Sequence, residues 1–583
     1  MVAMKLVPNH DEITKVMMKL NADKSPGLDG LTSGFFKASW SLLGPEVINS
    51  IKSFFNSGFL STAENSTILS LVRKKPGASL VIDYRPISCC NTVYKVISKL
   101  LVNRLKPLLP ALILPNQTAF VQGCLLVENT VLASEIVHGY HRNRGPKRIV
   151  LKVDIAKAFD TIHWDFIFNC LGSIGVPGIY LQWLKDCVCS PSFNIGYNGT
   201  VQGYFKSKRG LRQGDPLSPY LFFIAMNCLF HLLNNAAKEG RISYHHRCTD
   251  SKLTHLCFAD DLLIFCHGSL RSIKGALDVL ANFQSRSGLA ISITKTCFFS
   301  SDLSEQEIDE IKQETGLPYG QLPIRYLGVP LCTKKLSMAN FEPLIQSVKT
   351  KLTSWTTRTL SFAGRLLLIN TVISGTLDGQ HTAKVFWEEI THSKEEGGLG
   401  MRDLLTWNKA CSMKLIWMLF FRSGSIWVAW FTREILDGNI SNFWTLKEKA
   451  NHFWVLTDAN DSFEWILDGS KCANFSTGKL YREIKHHNNI VPWLKIIWFS
   501  SGILRHSFLT WLFMLNRCPT RDRMIDWGLQ VPAACLLCNA NPESRDHLFF
   551  SCSYSMQVWA PVAARSDLAP SSSWTQPSLC SST

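Results

Sequence analysis

Three aspartates and a cysteine–histidine set are the residues of this sequence best suited to chemistry. Asp154 ends the apolar run Arg148-Ile149-Val150-Leu151-Lys152-Val153-Asp154. Asp260 and Asp261 interrupt a second one, Leu256-Cys257-Phe258-Ala259-Asp260-Asp261-Leu262-Leu263-Ile264-Phe265. Adjacent carboxylates within apolar sequence are costly to bury unless paired or bound to metal. An Asp-Asp pair alone is most simply a β-turn. A second strand-end aspartate changes that reading, because neighbouring strands would bring all three carboxylates to one sheet edge. Divalent cations relieve the repulsion among such groups, and hard oxygen ligands select Mg²⁺ or Mn²⁺. Two ions roughly 3.5–4 Å apart can clamp the attacking and leaving oxygens of a phosphoryl transfer.

Cys535 and Cys538 form a Cys-x₂-Cys pair, and His547 and Cys552 follow. Three thiolates and one imidazole make a closed tetrahedral set suited to one structural Zn²⁺, with no position left open for catalysis. Arg505, Arg517, Arg521 and Arg523 lie nearby, which suits RNA or DNA binding.

The elements that must position these groups alternate between the two periodicities. A helical pattern covers 12–20 and stops before the turn Lys24-Ser25-Pro26-Gly27-Leu28-Asp29-Gly30. Strands are expected at 67–73 and 148–154, a hairpin at 193–206 around Tyr197-Asn198-Gly199, and a strand–turn–strand unit at 253–266. Helices are expected at about 91–109, 164–174, 219–237, 302–314, 355–371 and 403–434. This hairpin-rich mixture indicates an α+β fold, not a regular βαβ alternation. Most of the 18 tryptophans lie beyond residue 400, so the C-terminal third should have its own core. The Ser/Pro/Ala-rich stretch 561–583 is expected to be disordered.

Composition sets the outer limits. The chain has 583 residues, 46% of them hydrophobic, which excludes global disorder. No run of 18 apolar residues is evident, so no membrane span is expected. No secretory signal opens the sequence, and the 19 cysteines are expected to be reduced inside the cell. The net charge is +16, from 61 basic and 45 acidic residues. Residues 51–300 contain 28 Lys/Arg against 14 Asp/Glu and so supply +14 of it. Within that region, 151–200 is slightly acidic, with three basic and four acidic residues, and contains Asp154 and Asp160. Basic flanks around an acidic centre suit a phosphate backbone beside a metal site.

Val153-Asp154-Ile155-Ala156-Lys157-Ala158-Phe159-Asp160 and Phe258-Ala259-Asp260-Asp261 resemble palm motifs A and C of reverse transcriptases. Between them, Gly210-Leu211-Arg212-Gln213-Gly214-Asp215-Pro216-Leu217-Ser218-Pro219 resembles motif B. The likeness is strongest to plant non-LTR retrotransposons of the long interspersed element class and extends over about residues 5–560. It implies a right-hand polymerase of fingers, palm and helical thumb, followed by a helical region and a small zinc-binding module. The boundaries expected are 1–60 for an N-terminal fingers extension, 61–330 for fingers and palm, and 331–380 for a shortened thumb. A connecting region at 381–470, a zinc module at 471–560 and a tail at 561–583 complete the division.

The resemblance also implies roles. Asp154 and Asp260 would be the main ligands of two Mg²⁺ or Mn²⁺ ions, with Asp261 supporting them. Phe159 would stand against the sugar and favour deoxynucleotides. Arg73, Lys75 and Arg85, together with Arg212, Gln213 and Gly214, would contact nucleotide or template. Lys295 would serve the leaving group as the motif D lysine. Arg325-Tyr326-Leu327-Gly328-Val329-Pro330-Leu331 would form the primer grip. The partners implied are an RNA template, a DNA primer and dNTPs, in the nucleus; no protein partner is deducible.

The sequence departs from the family pattern in three places. No endonuclease precedes the motifs, so integration by this chain alone is not expected. Cys124 stands where the family has Arg. After Ile373 the sequence jumps to a segment expected several tens of residues later, as if the thumb were cut. Two other readings therefore stay open: a catalytically impaired nucleic-acid-binding remnant, and a related templated polymerase such as a maturase or viral RNA polymerase.

Overall fold

The computed structural model describes residues 2–75, 77–114, 126–142, 145–197, 199–334, 337–353, 385, 387–421, 425–445, 466–467, 470–471, 475–499, 503–526 and 528–565. The expected thumb helix at 355–371, the jump after Ile373 and Cys124 lie outside these residues. Two compact units are present. The first comprises Met1–Asn340 and Arg422–Ala459, and the second Phe341–Phe421 and Asn460–Thr583.

The first unit contains ten described strands. They are β1 (Ser66–Arg73), β2 (Tyr84–Cys90), β3 (Arg148–Asp154), β4 (Ser192–Tyr197), β5 (Thr200–Lys206), β6 (His255–Phe258), β7 (Asp261–His267), β8 (Cys297–Ser301), β9 (Ile324–Tyr326) and β10 (Val329–Leu331). One four-stranded sheet has the order β2-β1-β4-β5, with β1 and β4 parallel and the other pairs antiparallel. The other has the order β6-β7-β3-β8 and is antiparallel throughout. β3 is central in it, with Ile149, Val150, Leu151 and Val153 all buried. Cover on both faces explains an apolar sequence interrupted only by the half-buried Lys152.

The long helix Ser218–Lys238 is apolar nearly all round and forms the centre of this core. By length and composition alone it could cross a membrane, although Asn227, His231, Asn234 and Asn235 interrupt its apolar sequence. About 67% of the qualifying stretch is buried inside the protein, as a core helix requires. The helix Leu270–Ser287 shows the opposite pattern, one buried stripe and one polar face, with Ser269 as N-cap and Gly288 (φ +77°) ending it.

Several boundaries differ from the sequence reading for local reasons. The helix expected to run to 109 stops at Leu105, and a 3₁₀ turn Lys106–Leu108 follows, because Pro107 has no backbone N–H to continue the ladder. The acidic helix starts at Glu305, not Asp302. Ser304 and Glu307 cap it reciprocally, while Asp302 sits at φ +67° with its carboxylate 3.4 Å from Arg148. Within residues 1–60, Ile13, Met17, Ile48, Ile51 and Phe54 share one core with the second sheet.

The expected helix 403–434 is two helices belonging to different units, Leu404–Phe421 and Ile426–Glu434. The second returns to the first unit. There Ser425 donates to Glu128 at 2.6 Å and the Trp430 indole donates to the Arg247 carbonyl at 2.7 Å. The second unit has its own core around Leu399, Met401, Ile497, Trp511 and Leu512. Its last helix, Ser553–Arg565, continues four residues past the expected start of disorder at 561.

Candidate active site and metal centre

Register brings the aspartates together. β3 and β7 pair antiparallel with Asp154 opposite Asp261, so the last residue of one strand faces the first of the next. β6 and β7 form a hairpin in which Phe258 pairs with Asp261, leaving Ala259 and Asp260 as a two-residue loop. Ala259 takes the left-handed backbone conformation (φ +59°) that such tight loops demand. Asp154 is fixed by its own N–H donating to Thr296 Oγ1 at 3.2 Å and by its carbonyl accepting from Ser292 N–H at 2.8 Å. Its side chain remains 42% exposed, open to an ion or substrate.

The electrostatics match the geometry. Partial burial raises the Asp261 carboxyl above its usual range; Asp260 and Asp154 raise it further, and Lys152 opposes them. Both other aspartates therefore act on Asp261, and carboxylate oxygens gathered at a strand edge suit divalent cations. Lys295 reaches the same place, with Nζ 3.8 Å from Asp154 Oδ2.

Phe159 follows on the short helix Ala158–Thr161, half-buried and stacked on Phe222 at a 5.0 Å centroid distance. The loop 210–214 locks onto it. Leu211 N–H donates to the Phe159 carbonyl at 2.6 Å, and Gly210 N–H donates to Ile162 at 2.8 Å. Gly210 has φ +91°, and a Cβ there would lie 2.9 Å from the carbonyl oxygens of Phe159 and Asp160, so only glycine fits. Gly214 is similar: φ is +111° and an added Cβ would be 2.9 Å from Ser88 O of β2. Gln213 accepts from Ser88 N–H at 2.7 Å, and its side-chain Oε1 is buried with no partner among the described residues.

A cavity beside these loops is lined by Ser88, Phe159, Asp160, Phe193, Phe205 and Gln213, among others. None of the three clustered carboxylates lines it. Asp160 does, and burial raises its carboxyl, against the pull of Lys157 and Lys74.

The cations expected at nucleotide or template divide into two kinds. Arg73 and Arg85 are exposed at the end of β1 and β2 where residues 74–83 connect the two strands, and Lys75 pairs with Asp83 at 2.8 Å. Arg212 is different, although it lines the same cavity as Gln213 and Phe159. Its side chain is only 5% exposed, and its donors go to Asn65, Thr67 and the Cys187 carbonyl, inside the protein. Desolvation explains this: a buried guanidinium must be fully paired where it lies. The sequence reading also missed Tyr94, Ser98 and Asp215, which complete this network. Tyr94 and Asp215 are 121 residues apart, and nothing local signals their contact.

The hairpin β9–β10 forms the segment expected as primer grip, turning through Leu327 (φ +51°) and Gly328 (φ +86°). Lys152 ties it to β3 by donating to the Arg325 carbonyl at 3.3 Å.

In the second unit, one ligand atom each from Cys535, Cys538, His547 and Cys552 lies within 4.8 Å of the others. Local chain geometry builds the set. Leu537 N–H points at Cys535 Sγ at 3.4 Å, and Cys538 Sγ lies 3.2 Å from His547 Nε2. A single wide helical turn, His547–Ser551, brings Cys552 back under His547. The Cys552 thiol is lowered to about 7, chiefly by the Ser555 backbone N–H, while burial raises that of Cys535. Glu543, absent from the sequence reading, is 5% exposed and accepts from Leu536 and Arg521 N–H, each at 3.1 Å. It thereby holds the Cys-x₂-Cys loop against the helix Arg521–Asp526. Three sulfurs and one imidazole nitrogen, closely convergent and mostly buried, fit tetrahedral Zn²⁺.

Comparison with known proteins agrees with this arrangement. Residues 72–331 match the family described as reverse transcriptase (RNA-dependent DNA polymerase), and residues 475–559 match that described as zinc-binding in reverse transcriptase. A 149 kDa uncharacterized protein of transposon TX1 from Xenopus laevis is 28% identical over 372 residues, covering 62% of this chain and 28% of that protein. A retrovirus-related Pol polyprotein from the type-2 retrotransposable element R2DM of Drosophila melanogaster is 25% identical over 284 residues, covering 48% of this chain and 25% of its own length. An uncharacterized mitochondrial protein of Arabidopsis thaliana, AtMg01250, is 46% identical over 65 residues, which is 11% of this chain and 53% of that one. The chain thus spans about a quarter of the length of the two larger relatives. With the three aspartates inside the first matched region and the Cys₃His set inside the second, this chain is similar to retrotransposon Pol proteins, matching the reverse transcriptase family over 72–331 and its zinc-binding family over 475–559.

Proposed function

We propose that this chain is an RNA-directed DNA polymerase that extends a primer 3′-hydroxyl with dNTPs on an RNA template. The observation that carries the proposal is the register of β3 on β7, which sets Asp154 opposite Asp261 with Asp260 in the adjoining loop. Divalent ions held by these carboxylates would supply activation of the hydroxyl and neutralisation of charge on the triphosphate. The protein's own groups do the rest. β3 and the β6–β7 hairpin hold the carboxylates in place. Lys295, within reach of Asp154, offers a proton and a positive charge to the departing pyrophosphate. The second sheet is the palm, the first sheet the fingers, and β9–β10 the primer grip. Zn²⁺ at Cys535, Cys538, His547 and Cys552 holds the C-terminal module together.

Incubation of the full chain with a primed RNA template, dNTPs and Mg²⁺ tests the reading. Template-directed lengthening of the primer is expected; binding of the duplex without extension would favour the non-catalytic remnant. Phe159 gives a finer check. On this reading its ring, which lines the cavity, would meet a ribose 2′-hydroxyl, so Phe159→Ala is expected to narrow the preference for dNTP over rNTP by about tenfold or more. Relative incorporation of the two nucleotides by wild type and variant measures it.

A further inference from the structure

The loop carrying Gln213 and Gly214 is anchored at both ends by one buried network. On the upstream side, Arg212 Nη1 donates to Asn65 Oδ1 at 2.7 Å and to Thr67 Oγ1 at 3.2 Å. Arg212 Nη2 donates to the Cys187 carbonyl at 2.9 Å, and the guanidinium lies 4.0 Å over the Tyr94 ring. On the downstream side, Asp215 Oδ2 accepts from Tyr94 Oη at 2.8 Å, and Asp215 Oδ1 accepts from Ser98 Oγ at 2.5 Å and from Leu217 N–H at 3.1 Å. The two charges face each other at 3.5 Å, with side chains 5% and 2% exposed. Four elements meet here: the start of β1, the helix Thr92–Leu105, the helix Gly178–Cys189 and the first turn of Ser218–Lys238.

Only Gln213 and Gly214 lie between the two anchors, so their conformation is pinned from both sides. They press on β2 through Ser88, and the residues just before them hold the Phe159 carbonyl. A buried pair used for packing alone could be replaced by apolar side chains with little loss of stability. A fully hydrogen-bonded network reaching four elements fixes geometry as well.

We propose that Arg212, Asp215, Tyr94 and Ser98 are positioning residues that set the loop Gly210–Gly214, and through it Phe159, against the finger strand β2, and so govern the fit of the incoming nucleotide. This rests on the polymerase reading above. Their side-chain hydrogen bonds go to one another and to neighbouring elements, and Arg212 and Asp215 also line the cavity beside Phe159. Their effect is transmitted through Gln213, whose buried Oε1 has no partner among the described residues, and through the ring of Phe159.

The test is steady-state primer extension by the full chain with dNTP varied, on wild type, Tyr94→Phe and Asp215→Asn, with melting temperature and primer–template affinity measured on the same samples. Tyr94→Phe keeps the ring under Arg212 and removes one hydrogen bond, so it is the variant best able to fold. The expected result is a rise in KM for dNTP of about tenfold with kcat changed much less. Discrimination against rNTP should weaken in parallel, while primer–template affinity stays unchanged. A lower melting temperature or smaller active fraction with unchanged KM and unchanged discrimination would overturn the proposal and leave the network a structural element. A wild-type chain that extends no primer would instead overturn the polymerase reading, and this inference with it.

Discussion

Asp260→Asn is expected to lower the rate of nucleotide incorporation at least about a thousandfold, because it removes one charge from the metal-binding cluster. The substitution preserves side-chain size and still suits a two-residue loop, since Asn tolerates turn conformations as well as Asp does. The hairpin register, with Phe258 against Asp261, should therefore persist. A carboxylate and a carboxamide differ chiefly in charge, and hard divalent cations need that charge. Asp260 also contributes to the raised Asp261 carboxyl, so its neutralisation lets Asp261 ionise at lower pH. Rapid-quench measurement of a single incorporation, with circular dichroism and melting as controls for folding, checks this. A variant that folds normally and keeps wild-type rate would remove Asp260 from the mechanism.

The second large effect concerns the C-terminal module. Chelation of zinc, or Cys538→Ser, is expected to release the segment 520–565 from its ordered state. Structural zinc contributes about 10 kcal/mol or more to small domains of this kind. The region has few apolar contacts to replace the ion: Leu536, Leu537, Tyr554, Val558 and Trp559 are all exposed. The zinc ligands and the Glu543 hydrogen bonds to Leu536 and Arg521 are what tie it together. Metal analysis should find one zinc per wild-type chain and much less in Cys538→Ser, and limited proteolysis should open new cuts within 520–565. Asp260→Asn should bind zinc as wild type does, which separates the two metal centres. An unchanged protease pattern after complete zinc removal would show that the module does not depend on the ion.

The sequence carried much of this arrangement because the decisive signals are local. β3 occupies 148–154 as its apolar run indicated, and the two aspartates fall at a hairpin because nothing else accommodates them within Leu256 to Phe265. The zinc set is legible for the same reason: its four ligands lie within 18 residues of one another. Long-range pairing was not legible. β1 runs parallel to β4, more than a hundred residues later, and no pattern in either strand names the other. The helix Ile426–Glu434 looks continuous with Leu404–Phe421, yet its Ser425 and Trp430 find partners at Glu128 and Arg247. Motif likeness places Arg212 beside Gln213 and Gly214, while only the three-dimensional structure shows that its donors go to Asn65, Thr67 and the Cys187 carbonyl. Local patterning thus located the chemistry, and tertiary packing decided which neighbouring residues serve it and which support it.

The central claim is that Asp154, Asp260 and Asp261 form a divalent-metal site for nucleotide addition. The measurement that tests it most directly is single-turnover incorporation of one dNTP on a primed RNA template as Mg²⁺ is raised from zero, for wild type and Asp154→Asn side by side. Wild type should show no product without a divalent ion and a rate that climbs with Mg²⁺ to a plateau, while Asp154→Asn stays near zero throughout. Incorporation that ignores Mg²⁺, or equal rates in the two proteins, would contradict the account.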